Sequence, residues 1–325
     1  MKKGLVLEGG AMRGLFSAGV MDVMYEAGLE FDGIVGVSAG AAFGCNYKSR
    51  QPGRAIRYNK LFAHDGRYCG LRSLLTTGDL YGGEYDYHYI PTHVDVFDTE
   101  AFEKNPVRFH VVCTDVETGA AVYQKIERCD YDAFEWIRAS ASMPMVSRIV
   151  NIGSQKLLDG GIADSIPLEY FEREGYDRNV VILTQPQGYE KRQNRLLPLL
   201  RLSLRKYPNI IKALANRHLM YNDQLRHVAE AERAGRAFVI RPSIPLPIGH
   251  ISHDPEEMQR VYDIGRAEGA RQLPALRQFL AAPSVPNAAT QSQHTQPPSR
   301  RPKEDRSQGY LFARGFNDRI LWREG

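Results

Sequence analysis

The chain has 325 residues, of which 43% are hydrophobic and 25% are charged, as in an ordinary globular protein. This composition excludes collagen, a coiled coil, a small disulfide scaffold and a chain that is disordered throughout, and the length suits one large α/β domain or about two smaller ones. The net charge of +4 is too small to indicate nucleic-acid binding by itself.

Cysteine spacing and apolar runs predict the compartment. Cys45, Cys69, Cys113 and Cys129 are too far apart for a CxxC metal or redox motif, and a chain of this length does not need disulfides. The first apolar run stops at Glu8, too early for a signal peptide, and no run approaches the ~18 apolar residues of a transmembrane helix. We therefore expect a soluble, cytoplasmic protein with free thiols, and peripheral contact at the inner membrane face stays open.

Before Lys191, short buried strands alternate with helices. The predicted strands are Gly4–Leu7, Gly33–Val37, Val107–Thr114, Ala120–Ile126, a hairpin over Ile149–Leu158, and Asn179–Thr184. The predicted helices are Leu15–Ala27, one that starts at Ala39, Tyr131–Ser142 and Leu168–Glu174. This alternation is typical of an α/β fold with a mostly parallel central sheet that helices cover on both faces.

A glycine-rich turn, Glu8-Gly9-Gly10-Ala11-Met12-Arg13-Gly14, joins the first strand to the first helix. Glycines there let backbone N–H groups approach an anionic atom closely, with the N-terminus of the helix behind them. Three interpretations stay open on these residues alone. They are a dinucleotide cradle, in which Ala11 interrupts the G-x-G-x-x-G pattern, an oxyanion hole, and a tight turn without a ligand.

Gly36-Val37-Ser38-Ala39-Gly40 has the G-x-S-x-G pattern of a nucleophile elbow, and it lies where the second strand meets a helix of small residues. The two glycines remove side-chain clashes, so that the serine can take a strained turn with its hydroxyl exposed. This context predicts that Ser38 is a nucleophile rather than part of a structural turn.

A nucleophilic serine needs a base. The histidines after Ser38 include His64, His88, His93, His110, His218, His227, His250 and His253, and none of these lies in a turn that aims it at a site. Asp159 is the better candidate because it ends a strand and is followed by Gly160 and Gly161, although Asp-Gly-Gly alone is usually a plain turn. A carboxylate that burial keeps basic can accept the serine proton directly.

The segment from Glu190 to Arg236 holds eleven Lys and Arg residues against four Asp and Glu residues. The leucines from Leu196 to Leu204 are interleaved with arginines, and Pro198 limits any helix to a start near that residue. One interpretation is a basic amphipathic helix that binds anionic membranes. The other is a surface helix that packs its leucines inward on the body.

Two predicted segments follow the globular part. Residues 281–309 contain five prolines and no aromatic residue, which predicts a disordered linker. Residues 310–325 are apolar and aromatic again. They suit a segment that docks on the body, a partner-binding segment or a loose tail.

Taken in order, these motifs resemble the patatin-like phospholipase family, whose members are acyl hydrolases with a Ser–Asp dyad. The resemblance runs from about Lys3 to Thr184 and includes two further stretches, Arg138-Ala139-Ser140-Ala141-Ser142-Met143-Pro144 and Thr114-Asp115 with Thr118-Gly119. The chain departs from the family pattern at two positions. Ala11 replaces a glycine, which keeps the N–H group and adds a methyl group that we expect to narrow the hole, and Glu8 replaces an aspartate with little expected effect.

The resemblance implies a patatin-like hydrolase domain over residues 1–280, with core motifs in 3–184 and a basic helical region in 190–236. It implies that Ser38 attacks a lipid or fatty-acyl ester, that Asp159 is the base, and that an acyl-enzyme forms without a cofactor, a metal or a nucleic-acid partner. Arg13 either steadies the turn or faces a phosphate head group. The implied oxyanion hole is Gly9, Gly10, Ala11 and Ala39, and the supporting motif residues are Arg13, Gly14, Gly36, Gly40, Gly160 and Gly161.

Three other functions are weighed against this one. Ala11 and the serine elbow disfavour a dinucleotide-binding oxidoreductase, and the complete dyad disfavours a non-catalytic lipid- or protein-binding scaffold. A histidine triad is disfavoured because the elbow follows only the second strand. The ester that is cut and the oligomeric state stay open. Aromatic residues either line the entrance or pack in the core; they are Tyr81, Tyr85, Tyr87, Tyr89 and Phe97.

Overall fold

The computed structural model describes residues 1–283. In these residues eight strands form one sheet: β1 Lys3–Leu7, β2 Gly33–Val37, β3 Arg108–Asp115, β4 Ala121–Ile126, β5 Val150–Ile152, β6 Gln155–Asp159, β7 Arg178–Ile182 and β8 Ala237–Ile240. The strand order is β5-β6-β3-β2-β1-β7-β8, and β4 also pairs with β3. The neighbours from β3 to β8 are parallel, whereas β4, β5 and β6 join in antiparallel pairs. The predicted mostly parallel α/β sheet is therefore confirmed.

The helices of the described residues are α1 Gly14–Glu26, α2 Ala39–Lys48, α3 Arg54–Leu61, α4 Leu71–Thr77, α5 Thr99–Lys104, α6 Tyr131–Ser140, α7 Leu168–Arg173, α8 Leu197–Ser203, α9 Pro208–Arg233 and α10 Pro255–Ala281. A π-helix spans Tyr85–Val94, and short 3-10 turns span Ala11–Arg13 and Gly160–Ile162. Within the described residues, no helix is both long enough and apolar enough to cross a membrane.

Side chains of the strands alternate between two hydrophobic cores, one on each face of the sheet. Leu5 and Leu7 of β1 belong to the core that contains residues of α1, α2 and α10, whereas Val6 belongs to the core that contains residues of α7 and α9. All three side chains are fully buried. The period of two along the strand thus places helices against both faces, as the sequence predicts.

The predicted strands and helices before Lys191 are present, with ends that differ by one or two residues. The β2 strand has the predicted bounds, while the helix predicted over Tyr131–Ser142 ends at Ser140. Ser142 instead turns back, because its backbone N–H donates to the carbonyl of Ala139 at 3.1 Å. The motifs therefore lie on the expected strand ends and turns.

The basic region differs from the single amphipathic helix of the first interpretation. Helix α8 starts near Pro198 as predicted but ends at Ser203, and α9 begins at Pro208. Tyr207, with φ −125° and ψ 78°, is forced out of the helical conformation by the proline that follows it. The chain turns there, so that the two helices pack against each other.

The leucines of α8 divide between the two interpretations. Leu197, Leu200 and Leu204 are buried against Ile210 and Leu214 of α9. Exposed leucines occupy the other side, and their exposed fractions are 56% for Leu196, 48% for Leu199 and 65% for Leu202. Leu200 and Leu204, which a membrane-binding helix would insert into the lipid together with the other leucines, belong to the core instead. The predicted linker 281–309 beyond Pro283 and the segment 310–325 lie outside the described residues.

Candidate active site

Ser38 occupies a strained turn between β2 and α2. Its backbone angles, φ 54° and ψ −122°, fall in a region that residues with side chains rarely adopt. Two hydrogen bonds connect the turn to α6 and β3. The Ser38 N–H donates to Ser140 Oγ at 2.9 Å, and Ser140 Oγ donates to the Val112 carbonyl at 2.6 Å.

The flanking glycines of the G-x-S-x-G pattern are required by close backbone contacts. A Cβ on Gly36 would lie 2.5 Å from the Gly40 carbonyl oxygen, and a Cβ on Gly40 would lie 2.5 Å from the Leu7 carbonyl oxygen. Both distances are shorter than any real Cβ contact. The two glycines are therefore required because the backbone of α2 is in close contact with the ends of β1 and β2.

The glycine turn after β1 lies directly against the serine. A Cβ on Gly9 would lie 2.9 Å from the Ser38 Cβ, and one on Gly10 would lie 2.7 Å from Thr184 Oγ1. Ala11 has φ 49°, a conformation that favours glycine, which explains why the family pattern has a glycine at this position. Among the described residues, no acceptor takes the N–H groups of Gly10 and Ala11. These two donors are free to bind a negatively charged oxygen.

Glu8 fixes this turn to its neighbours. Its buried carboxylate accepts hydrogen bonds from the Tyr221 hydroxyl at 2.5 Å and from the Thr184 backbone N–H at 2.5 Å. Burial raises the pKa of Glu8, while the bonds from Tyr221 and Thr184 oppose this rise. Glu8 thus connects the end of β1 to the end of β7 and to α9, a structural role that is compatible with a longer side chain than aspartate.

Asp159 ends β6 beside the serine turn. Strand register explains the proximity, because Val37 pairs with Val112 of β3 and the next β3 residue, Cys113, pairs with Asp159. The Asp159 carboxylate accepts the Gly161 N–H at 2.7 Å, and Thr114 Oγ1 donates to the Asp159 carbonyl at 2.8 Å.

The residues around Asp159 also leave no space for side chains. A Cβ on Gly160 would lie 2.1 Å from the Val112 carbonyl oxygen, so this position excludes every other residue. The Asp159 N–H donates to the Ser142 carbonyl at 2.8 Å, which connects the Arg138–Pro144 stretch to the site. The Thr114-Asp115 motif serves a separate turn as well, since Asp115 accepts the Thr118 N–H at 2.8 Å.

The electrostatics of Asp159 suit a base. Its side chain is buried, and burial raises its pKa above the ordinary value of 3.8. The positive charge of Arg217 opposes this rise most strongly, followed by a hydrogen bond with the Ser38 side chain. A raised pKa makes the carboxylate a better proton acceptor than an exposed aspartate.

Two cavities meet at the serine. Ala11, Ser38 and Met143 line both of them. The larger cavity is mostly apolar and aromatic; its walls include Phe43, Tyr58, Tyr68, Tyr81, Tyr87, Ile90, Phe97 and Phe134. Of the aromatic residues singled out in the sequence, Tyr81, Tyr87 and Phe97 line this cavity, whereas Tyr85 and Tyr89 do not.

The smaller cavity is polar and contains Asp159. Its charged lining residues are Glu8, Arg13, Asp159, Lys191, Arg217 and, if protonated, His250. Sequence reasoning did not single out Lys191 or Arg217, which belonged to a basic segment interpreted either as a membrane-binding helix or as a surface helix packed on the body. Their local pattern carries no signal for this role, because only the packing of α9 and of the loop after β7 brings them here.

Among the histidines that the structure describes, none forms a hydrogen bond with the Ser38 side chain. His88 bonds to Glu135 at 2.8 Å and His227 to Glu172 at 2.7 Å. His250 lines the polar cavity, but its Nε2 atom lies 3.4 Å from a guanidinium nitrogen of Arg13. Burial lowers the pKa of His250, and the positive charge of Arg13 lowers it further. Within residues 1–283, no three His, Cys, Asp or Glu side chains are grouped to hold a metal ion.

Comparison with known proteins identifies two segments of the chain. Residues 5–172, more than half of the sequence, match the family model described as patatin-like phospholipase. Residues 207–281 match a model described as a domain of unknown function, DUF6363.

Among full sequences, the uncharacterized protein YjjU of Escherichia coli is 28% identical over 292 residues, which cover 85% of this chain and 76% of that protein. Lysophospholipase NTE1 of Candida glabrata is 24% identical over 88% of this chain, which spans only 17% of that longer protein. Among solved structures, VipD of Legionella pneumophila aligns with a TM-score of 0.43 at 14% identity, covering 84% of this chain and 67% of VipD.

The strained turn predicts an unusual effect of glycine at position 38. Ser38→Gly relieves a backbone strain of roughly 1–3 kcal/mol, and we expect it to unfold with a free energy about 1 kcal/mol higher than that of Ser38→Ala. Denaturant titration of both variants measures the difference.

Ser17, a fully buried serine inside α1, offers the matched control. There glycine should be less stable than alanine by about 1 kcal/mol, because the helix is the native conformation. The same sign at both positions would contradict strain at Ser38.

The raised pKa of Asp159 predicts a pH effect on stability. A carboxyl group that binds its proton more tightly when folded makes the free energy of unfolding fall as pH rises from 3.8 through its folded-state pKa. Asp159→Asn should remove this fall, so its stability relative to the wild type should increase over that pH range. Asp132→Asn, at an exposed position, is the control; an equal gain there would contradict the assignment.

Proposed function

The chain belongs to the patatin-like phospholipase family, and we propose that it hydrolyses lipid esters with Ser38 as nucleophile and Asp159 as base. The observation that supports this most directly is that Ser38, Asp159 and the glycine turn line the same polar cavity. It holds the strained serine, the buried carboxylate and the free N–H groups of the glycine turn in one place. This combination is what nucleophilic acyl transfer requires.

The proposed reaction has two halves. Asp159 takes the proton of the Ser38 hydroxyl as its oxygen attacks the ester carbonyl. N–H groups of the Gly9–Ala11 turn and of Ala39 stabilise the oxyanion. The carbon–oxygen bond to the alcohol then breaks, and the proton on Asp159 passes to the leaving oxygen. Asp159 next deprotonates a water molecule, which attacks the carbonyl carbon of the acyl-enzyme. The bond between this carbon and Ser38 Oγ then breaks, Asp159 returns the proton to Oγ, and the fatty acid leaves.

The two cavities give the ester an orientation. We propose that the acyl chain lies in the apolar cavity, where burial of each CH₂ group contributes about 0.8 kcal/mol. The alcohol part then lies in the polar cavity. Ser38, which borders both, is next to the bond between these two parts.

We also propose peripheral contact with anionic membranes through α8. Its exposed leucines, Leu196, Leu199 and Leu202, are next to exposed arginines that include Arg201. Each basic residue near an anionic membrane surface contributes roughly 1 kcal/mol to the free energy of membrane binding. The cytoplasmic location stays a prediction.

The roles of Ser38 and Asp159 can be tested by labelling and turnover. We expect a fluorophosphonate probe to label the wild type but not Ser38→Ala. Hydrolysis of p-nitrophenyl esters should fall by several orders of magnitude in Ser38→Ala and about as far in Asp159→Asn, because the two residues act as a unit. Circular dichroism checks that the variants fold.

His250→Gln provides the comparison, since His250 lines the same cavity. It should lose far less activity than Asp159→Asn. An equal loss would contradict the dyad, and a folded, unlabelled wild type would favour the non-catalytic scaffold.

The membrane contact can be tested by vesicle sedimentation. The double variant Leu199→Ser/Leu202→Ser should sediment less with phosphatidylglycerol vesicles and keep its turnover of soluble esters. The matched control is Leu219→Ser/Ile244→Ser, which changes side chains that are 54% and 65% exposed elsewhere. Equal losses in both double variants, or no binding of the wild type at low salt, would contradict contact through α8.

A further inference from the structure

The polar cavity holds more positive charge than its own acids balance. Arg13, Lys191 and Arg217 line it, and none of them forms an ion pair with another described residue. The buried Arg13 Nε has no hydrogen-bond partner among the residues that the structure describes. We call these three side chains the cationic cluster.

The two acids of the cavity make their hydrogen bonds with other groups. Glu8 accepts from Tyr221 and Thr184, and Asp159 accepts from the Gly161 N–H. Neither forms an ion pair with the cationic cluster. The charges of the cationic cluster are therefore available to an anion.

The cluster members also repel one another. Burial, and then the charge of Arg217, lowers the pKa of Lys191 to about 8. The Lys191 ammonium lies over the ring of Tyr221 at 4.4 Å from its centre, and its backbone is fixed by Asn222, which accepts the Lys191 N–H at 2.8 Å. Arg217 Nε donates to the Gly161 carbonyl at 2.5 Å. Lys191 and Arg217 are thus held by an aromatic ring, an amide side chain and a backbone carbonyl, none of which neutralises their charge.

We propose that the cationic cluster binds a phosphate group on the alcohol part of the ester, an inference that rests on the proposed hydrolysis. A phosphate monoester carries about −1.5 to −2 charges near pH 7 and offers three acceptor oxygens. The guanidinium groups of Arg13 and Arg217 can each donate two parallel hydrogen bonds to phosphate oxygens, and the ammonium group of Lys191 adds a third, compact positive charge. A neutral glyceride has no group that could replace these contacts.

The proposal gives the second half of the chain a part in substrate selection. Lys191 and Arg217 both lie beyond residues 5–172, and Arg217 belongs to helix α9 in the segment that matches DUF6363. The patatin-like segment supplies the nucleophile and the base. Specificity for a phosphorylated alcohol comes mainly from the residues that follow it.

Binding can be measured without turnover. Glycerol 3-phosphate is titrated calorimetrically into the full-length Ser38→Ala protein, with glycerol and inorganic phosphate as parallel titrants. We expect glycerol 3-phosphate to bind, glycerol not to bind, and Lys191→Met in the same background to weaken binding at least tenfold. Lys191→Arg should restore most of the affinity. Lys212→Met, an exposed lysine on α9, is the matched control and should bind like the parent.

Turnover then identifies the source of the phosphate. Octanoylglycerol 3-phosphate and octanoylglycerol share the acyl chain and the ester bond and differ only in the phosphate. We expect the wild type to prefer the phosphorylated ester at least tenfold in kcat/KM, and Lys191→Met to lower this preference about tenfold, mainly through KM.

The outcomes separate the two proposals. If neither ester is cut in a Ser38-dependent reaction but glycerol 3-phosphate binds through Lys191, the proposed hydrolysis fails and the anion site stands. If both esters are cut equally and Lys191→Met leaves their ratio unchanged, the phosphate assignment is overturned. Inorganic phosphate that binds as tightly as glycerol 3-phosphate, without any ester preference, would identify a free-anion site and overturn the substrate assignment.

Discussion

The close approach of three backbone turns is the constraint on which the candidate site depends. The turns after β1 and β2 contact each other so closely that Gly9 and Gly40 tolerate no Cβ. The turn at the end of β6 is as close to β3, where a Cβ on Gly160 would meet the Val112 carbonyl oxygen. Parallel pairing of β1 with β2 puts two of these turns at one edge of the sheet. Strand β6 is antiparallel to β3 and ends at Asp159, which pairs with Cys113, next to the β3 residue that pairs with Val37. The third turn therefore lies beside the other two. The hydroxyl, the carboxylate and the free N–H groups are therefore positioned by rigid strands rather than by long loops.

This constraint explains why the sequence predicted so much of the site. Where two backbones are in contact, only glycine fits. The contacts are therefore visible in the sequence as glycines on either side of Ser38 and directly after Asp159. The strands themselves are short apolar runs with turns at their ends, which periodicity identifies well. The strained φ of Ser38 could be anticipated for the same reason, since Gly36 and Gly40 have no other purpose there than to permit the close crossing.

The cations of the polar cavity could not be predicted in this way. Lys191 and Arg217 are ordinary members of a basic segment, and their sequence neighbours Arg192 and Asn216 are exposed. Whether a basic side chain faces solvent or a cavity depends on how α9 packs on the sheet, and that packing is set by distant contacts such as Tyr221 with Glu8. The leucines of α8 show the same limit, because alternation with arginine does not reveal that the chain turns at Tyr207 and buries Leu200.

The separation of the two cavities also bears on where the proton goes in the proposed reaction. Asp159 lines the polar cavity and not the apolar one, while Ser38 borders both. The proton that Asp159 removes from Ser38 is therefore held on the side where the alcohol lies, within reach of the oxygen that must leave. The cationic cluster on that side stabilises the ionised form of Asp159 through Arg217, which opposes the effect of burial on the pKa of this carboxyl group. A base placed on the acyl side would lack both advantages, so the proposed reaction couples recognition of the alcohol to the protonation of its oxygen.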